Sequence, residues 1–326
     1  MQRREFIAGL VGSVALPIMA RAQAPKLPVI GYLNSESLQT AQQYFDAFHR
    51  GLAETDYAEG RNVAIEYRWA LGENDLVPAL AAELVSRQVT VIVTNNTPTS
   101  LAARAATQTI PTVFLVGSDP VLIGLVPSLN RPAGNLTGVS ILNTYVIGKR
   151  LQLLHELVPA ATLIAFLANP TNPVFAGAET KELQDAAGVL GLKLLMLDAK
   201  GPAGIEAAFE KMAQEGARAL VVSGDTYFIS QRHQIAALAA RYALPAIYNY
   251  PEMAAAGGLI SYGADIADGY RQEGVYVGRI LKGERPADLP VQQVVKVYLA
   301  LNMKIVKTLG LTVPNTLLLS ADKVIE

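Results

Sequence analysis

The sequence predicts an α/β protein made of two doubly wound parallel-sheet lobes joined by a hinge of three chain segments. Three observations carry this expectation. Short β-branched runs alternate with longer amphipathic ones, the pattern of parallel sheets with helices on both faces. The alternation stops and then starts afresh near residue 146, so two series of similar size follow one another. The chain has 326 residues, and the roughly 300 that follow a leader are enough for two lobes of ordinary size.

In the first series, Val29–Asn34 reads as a strand. Leu38–Thr55 reads as a helix, because Ala41, Tyr44, Phe45, Phe48 and Leu52 recur at spacings of three and four. Val63–Ala70 is a second strand, Asp75–Arg87 a helix and Val89–Thr94 a third strand. A helix opens near Pro98, and Ile110–Gly117 is a fourth strand. The second series reads helix Val146–Val158, strand Leu163–Ala168, helix Ala176–Leu190, strand Lys193–Asp198, helix Pro202–Glu215 and strand Ala219–Ser223. Helix Gln231–Tyr242 and strand Pro245–Tyr248 complete it. Passages between lobes are expected near Asn135–Thr144, Ser261–Asp265 and Pro286–Pro290. One lobe would then hold residues 25–143 with about 264–285, the other 144–263 with about 286–326.

Ahead of the first strand, Met1–Ala24 has the layout of an export signal. Arg3 and Arg4 precede an apolar run, and Ala22-Gln23-Ala24 offers small residues for cleavage. The paired arginines point to the twin-arginine route. The run is about 15 residues, short of the ~20 that span a bilayer as a helix. A soluble chain outside the cytoplasm, in the periplasm, is therefore expected after cleavage. No Cys follows the run, so no lipid can be attached at the new N-terminus.

Composition excludes several classes of function. Net charge is −1, which offers no electrostatic footprint for nucleic acid. With no Cys there is neither thiol catalysis nor a Cys-ligated metal. His49, His155 and His233 all fall in predicted helices, none at i,i+4 to another, so no metal or other cofactor is expected. No G-x-S-x-G elbow, phosphate-binding loop or G-x-G-x-x-G is present. An enzyme is not expected.

Ligands of open parallel sheets bind beyond the carboxyl ends of the strands. That rule selects Asn95 to Ser100, Ser118-Asp119-Pro120, Asn169 to Pro173, Gly224 to Tyr227 and Asn249-Tyr250-Pro251. These polar and aromatic segments would face one another across a cleft between the lobes.

The chain resembles the solute-binding proteins of ABC transporters, in the group whose characterised members bind tryptophan and other aromatic amino acids. The resemblance runs from about Val29 to Ile325. It rests on Thr97-Pro98, on Ile110 to Phe114 leading to Asp119-Pro120-Val121, and on Gly134 to Val139. Asn169-Pro170, Tyr262-Gly263, Gly283 to Pro290, and Leu309-Gly310-Leu311 to Ala321-Asp322 extend it. It implies a periplasmic-binding fold of the first type that closes on a small ligand without chemistry. It also implies an ABC permease and an ATPase as partners, and a monomeric receptor. A module serving a sensor kinase or chemoreceptor, and an exported α/β hydrolase, are the alternatives.

Each candidate ligand residue has a structural role beside the binding one. Thr97 and Ser100 stand at a helix start, where unpartnered N–H groups and the dipole favour a carboxylate, yet Thr97-Pro98 also suits plain capping. Ser118 is a candidate polar contact, while Asp119 suits a cap. Asn95 closes the third strand. Asn172 and Phe175 suit either a turn or a contact. Asp225 could pair with a ligand ammonium or cap a helix. Tyr32, Tyr227, Tyr248 and Tyr250 could stack on a flat ligand or pack in a core.

Overall fold

The computed structural model describes residues 27–141 and 144–326. The export signal lies outside the described residues. The chain forms, in order, β1 (Val29–Asn34), α1 (Leu38–Ala53), β2 (Ala64–Trp69), α2 (Val77–Ser86), β3 (Val91–Thr94), α3 (Thr97–Ala106), β4 (Thr112–Val116) and β5 (Leu136–Ser140). Next come α4 (Ile147–Leu157), β6 (Leu163–Ala168), α5 (Pro173–Leu190), β7 (Lys193–Asp198), α6 (Gly201–Glu215), β8 (Ala219–Val222), α7 (Thr226–Ser230), α8 (Arg232–Arg241) and β9 (Ala246–Tyr248). The remainder forms α9 (Pro251–Ala255), β10 (Ile260–Ala264), α10 (Ile266–Leu281), β11 (Gln292–Gln293), β12 (Val297–Asn302), α11 (Met303–Thr308), α12 (Asn315–Leu319) and β13 (Lys323–Ile325).

These strands make two sheets. The first has the order β2-β1-β3-β4-β5-β11 and is parallel throughout. The second has the order β7-β6-β8-β9-β10-β12-β13, with β10 and β12 antiparallel. Each series therefore runs second-first-third-fourth-fifth, a doubly wound order with its switch point between the first and third strands. In the first sheet Ile30, Tyr32, Val91 and Val93 pack with α1 residues such as Phe48. Leu33 and Ile92 pack on the opposite face with Leu84 of α2 and Ala103 of α3. In the second sheet, Leu167, Val222 and Tyr248 share one face while Phe166, Val221 and Ile247 share the other. Alternation along each strand thus covers both faces of both sheets.

The chain returns to the first sheet after β10. α10 packs along α1 and against β3, β4 and β5. The two helices approach so closely that a Cβ on Gly51 would stand 1.8 Å from the Arg271 carbonyl oxygen, and one on Gly274 2.2 Å from that of Phe48. β11 then pairs with β5, and Val294 N–H donates to Ser140 O at 2.9 Å. The last passage therefore lies between Val294 and Val297, later than the Pro286–Pro290 expected, because Pro286–Leu289 still packs on the first lobe. Thr137 Oγ1 donates to Leu289 O at 2.6 Å to hold it there. The second and third passages run side by side, with Asp265 N–H donating to Lys296 O at 3.1 Å.

Candidate functional site

The carboxyl ends at the two switch points face each other. Asn34 ends β1, and its Nδ2 donates to Asn95 Oδ1, just past β3, at 3.3 Å. Asn169 follows β6, and its Nδ2 donates to Asp225 Oδ1, just past β8, at 3.0 Å. Between them lies a narrow cavity, lined from one side by Asn95, Asn96, Thr97, Leu115, Gly117, Ile141 and Ile266. The other side supplies Asn172, Phe175, Gly224, Asp225, Thr226 and Tyr250. None of these lining residues is basic.

Asp225 is the charged group of the wall. It is 6% exposed and accepts from Asn169, from Asn172 Nδ2 at 2.7 Å and from the Tyr227 N–H at 3.0 Å. Burial raises its carboxyl above the usual range, and these three donors pull it back. It is the N-cap of α7 and also a face of the cavity.

The loop that carries Asp225 is anchored from behind by a buried ion pair. Arg150 and Glu179 are both fully buried, with Nη2 to Oε1 at 2.7 Å. Arg150 Nη1 also donates to Val222 O at 3.0 Å. Glu179 accepts from the Gly224 N–H at 3.0 Å and from the Ser223 hydroxyl. Tyr250 closes the same loop, donating its hydroxyl to Gly224 O at 2.8 Å.

The opposite wall is set by the start of α3. Asn96, not Thr97, is the N-cap: it accepts from the Thr99 N–H while Thr99 Oγ1 accepts from the Asn96 N–H. Thr97 is the first helical residue, and its hydroxyl bonds Ser118 Oγ at 3.0 Å. Ser100 donates to Asn96 O at 2.7 Å and pairs with Thr94 Oγ1 at 2.9 Å, so its hydroxyl is spent inside the lobe and not on the cavity. Behind Asn95 lies fully buried Glu273, whose Oε2 accepts from Asn95 Nδ2 at 2.8 Å and whose carboxyl is raised well above its ordinary value by burial.

Of the residues singled out from sequence, Asn95, Thr97, Asn172, Phe175 and Asp225 meet at this cavity. Ser118 stands one hydrogen bond behind Thr97. Tyr32 does not reach it: the ring sits under α1 among Phe45, Phe48, Tyr67 and Trp69 at centroid distances of 5.2 to 5.9 Å. Tyr248 is also core, packed against Gly258, where an added Cβ would stand 2.4 Å from its Cε2. Tyr227 is half-buried at the rim, its ring 4.0 Å from a Cβ built on Gly72 of the other lobe. Asp119 accepts from the N–H groups of Val121 and Leu122, as a cap does.

Residues 26–325 match the model of the ABC transporter substrate binding protein family. The chain belongs to this family. A tyrosine-binding protein of Clostridioides difficile (strain R20291) is 26% identical over 264 residues, 81% of this chain and 75% of the relative. An ABC domain from Streptococcus pneumonia, solved in complex with L-Trp, is 26% identical with a TM-score of 0.83, over 92% of this chain and 100% of that one. A conserved domain protein of Vibrio cholerae is 27% identical with a TM-score of 0.83 and the same coverage. As a substrate-binding protein, this chain is a solute receptor with a periplasmic-binding fold of the first type, and the family generally works outside the cytoplasm beside an ABC permease and ATPase. The lining residues not singled out from sequence are apolar or follow a strand end: Leu115, Gly117, Ile141 and Ile266. Leu115 and Ile141 carry no polar signal, and their role emerges only when two lobes meet. Among the described residues no group of three or more His, Cys, Asp or Glu is placed to hold a metal. No helix there is long and apolar enough to cross a membrane.

Proposed function

We propose that this substrate-binding protein captures an amino acid with a flat or branched apolar side chain, an aromatic one first among them. It would close around the ligand by a hinge and release it chemically intact to an ABC permease driven by an ATPase. The single observation that carries this reading is the polarity of the cavity. A buried carboxylate, Asp225, stands on one side, and the positive end of α3 with Thr97 stands on the other. An ammonium suits the first and a carboxylate the second. Phe175, Tyr250, Leu115, Ile141 and Ile266 supply an apolar wall for the side chain. The tyrosine and tryptophan attached to the relatives' names fit the same division.

The magnitudes suit capture. Two charge-assisted contacts contribute about 2 to 3 kcal/mol each, and burial of the side chain about 2 to 3 more. The total of roughly 6 to 9 kcal/mol brackets the ~8 kcal/mol of a micromolar complex, less the costs of ordering and closure. The receptor would work as a monomer in the periplasm after loss of the leader.

A thermal-shift screen against L-tryptophan, L-tyrosine, L-phenylalanine and small carboxylates tests the proposal. A stabilising ligand raises the melting temperature by linkage. Asp225→Ala should abolish that rise and lower the unliganded stability by about 1 kcal/mol, the cost of a lost cap. An undiminished rise would remove Asp225 from the site, and turnover of the ligand would end the receptor reading.

A further inference from the structure

Across the cleft from Asp225 stands a second carboxylate. Glu36 lies on the β1–α1 loop of the first lobe, half-buried, and its Oε1 accepts from the hydroxyl of Thr226 in the second lobe at 3.1 Å. Thr226 is next to Asp225 in the chain and lines the cavity with it. The loop that carries Glu36 is fixed on its own side: the Glu36 N–H donates to Asn34 Oδ1 at 2.8 Å, and Ser35 accepts from Asn96. A further polar bridge between the lobes is neutral, with Asn74 Nδ2 donating to Thr171 O at 3.2 Å and to its Oγ1 at 3.0 Å. Two carboxylates thus stand where the lobes meet, Asp225 in the cavity wall and Glu36 one hydrogen bond away through Thr226, and no Lys, Arg or His lines the cavity.

We propose that Glu36 and Asp225 form a two-carboxylate seat spanning the cleft, so that the lobes come together only around a positive charge: a ligand ammonium or, in the empty receptor, a proton. The ammonium half of this statement rests on the amino-acid reading above; the proton half does not. Glu36 would then determine specificity, since a ligand without an amine leaves the seat uncompensated. The group's surroundings agree. Burial, then the charge of Asp225, push the Glu36 carboxyl from 4.5 to about 7, against the pull of Thr226. The other titratable groups that face it are Tyr227 of α7 and Tyr270 of α10, both raised, and neither brings positive charge. Glu73, from the loop after β2, adds further negative charge beside Tyr227.

The sign follows by linkage. The joined lobes hold a proton on Glu36 that separated lobes release above its ordinary value. Empty closure is therefore favoured at acid pH, weakens as pH rises from 4.5 to about 7, and is level beyond. An ammonium between the carboxylates lowers both, so binding releases a proton at mildly acid pH, where the empty receptor is closed and protonated, and none at neutral pH, where it is open and already ionised.

Small-angle scattering of the unliganded chain between about pH 4.5 and about pH 8 tests the proton half. The radius of gyration should grow across that range in the parent and stay small and level in Glu36→Gln, with the melting curve confirming that the variant is folded. A parent that does not change, or a variant that tracks it, overturns the seat. Calorimetry with L-tryptophan and L-tyrosine at about pH 5.5, where the empty receptor still holds the proton, in two buffers of different ionisation enthalpy, tests the other half. Proton release should appear in the parent and vanish in Glu36→Gln. The parent's preference for L-tryptophan over its deaminated analogue should fall at least about tenfold in the variant. Equal preference in both proteins overturns Glu36 as a specificity residue and leaves the amino-acid reading intact. Failure of both amino acids to bind, with the scattering result standing, overturns the amino-acid reading and not the proton half.

Discussion

Arg150 and Glu179 do not line the cavity, yet the position of Asp225 depends on them. Glu179 accepts from Ser223 and Gly224, the two residues before Asp225, and Arg150 compensates its charge in a place with no water. Burial pushes the Glu179 carboxyl up, and Arg150, Ser223 and Gly224 pull it back. Removing one partner of such a pair strands the other, which costs about 3 to 5 kcal/mol. Arg150→Met should lower stability by that order in urea unfolding and weaken ligand binding as the loop loosens. Arg150→Met with Glu179→Gln should recover part of the loss. A single variant as stable as the parent would show that the pair is not the anchor. Sequence could not reveal this link, because Arg150 and Glu179 lie on separate helices and nothing in either helix marks a partner. Asp225 was legible because a carboxylate after an apolar strand and a Gly obeys the strand-end rule. Tyr32 and Tyr248 were misplaced for a definable reason. Both lie within their strands, and the pleat sends them under the helices, whereas Tyr250, just past β9, reaches the cavity.

Among the elements, α10 decides how the lobes are joined. It leaves the second sheet at β10 and lies on α1 of the first lobe, with glycines at the contact. Gly274→Ala would bring a Cβ within 2.2 Å of the Phe48 carbonyl oxygen and 2.8 Å of the Leu52 nitrogen, both backbone atoms that cannot turn aside. The helices must separate, at an overpacking cost of about 1 to 3 kcal/mol. A lowered denaturant midpoint with unchanged slope is the expected result; an unchanged midpoint would show that the contact yields freely. The period of the hydrophobic residues made most elements from α1 to β9 legible to within a few positions; α7 was missed, and Leu136–Ser140, read as part of a passage between lobes, is β5 of the first sheet. From α9 onward the pattern offered only passages between lobes. For four of these elements the reason is physical: β11 is two residues long, β13 three, and α9 and α12 five each. Such pieces are too short to show a period and are held by what they pack on. By contrast α10, with 16 residues, and β12, with six, were long enough to show a period and went unread.

For the whole molecule, the distribution of carboxylates sets the response to pH. Glu36, Asp225, Glu252 and Glu273 are all raised by burial. The folded chain keeps protons on these groups that the unfolded chain gives up, so folding loses stability as pH climbs above their ordinary values. Glu66, Glu83, Glu284 and Asp288 are lowered by arginine partners and act in the opposite direction below the carboxylate range. Those four sit largely in solvent, where such pairs are screened and weak. The buried set therefore dominates above the carboxylate range. The unliganded chain should melt highest near pH 5 and progressively lower toward about pH 8. Glu273→Gln replaces one of these protons with a permanent neutral amide while keeping a polar end against Asn95, so its melting temperature should fall less over the same range. A melting temperature that rises from pH 5 to about pH 8, or a variant with the parent's slope, would show that these carboxyls are not protonated in the fold. The same arithmetic ties stability to function. A receptor with uncompensated acid at its lobe junction is held least firmly when empty at neutral pH, and a ligand that brings its own positive charge restores what the proton gave.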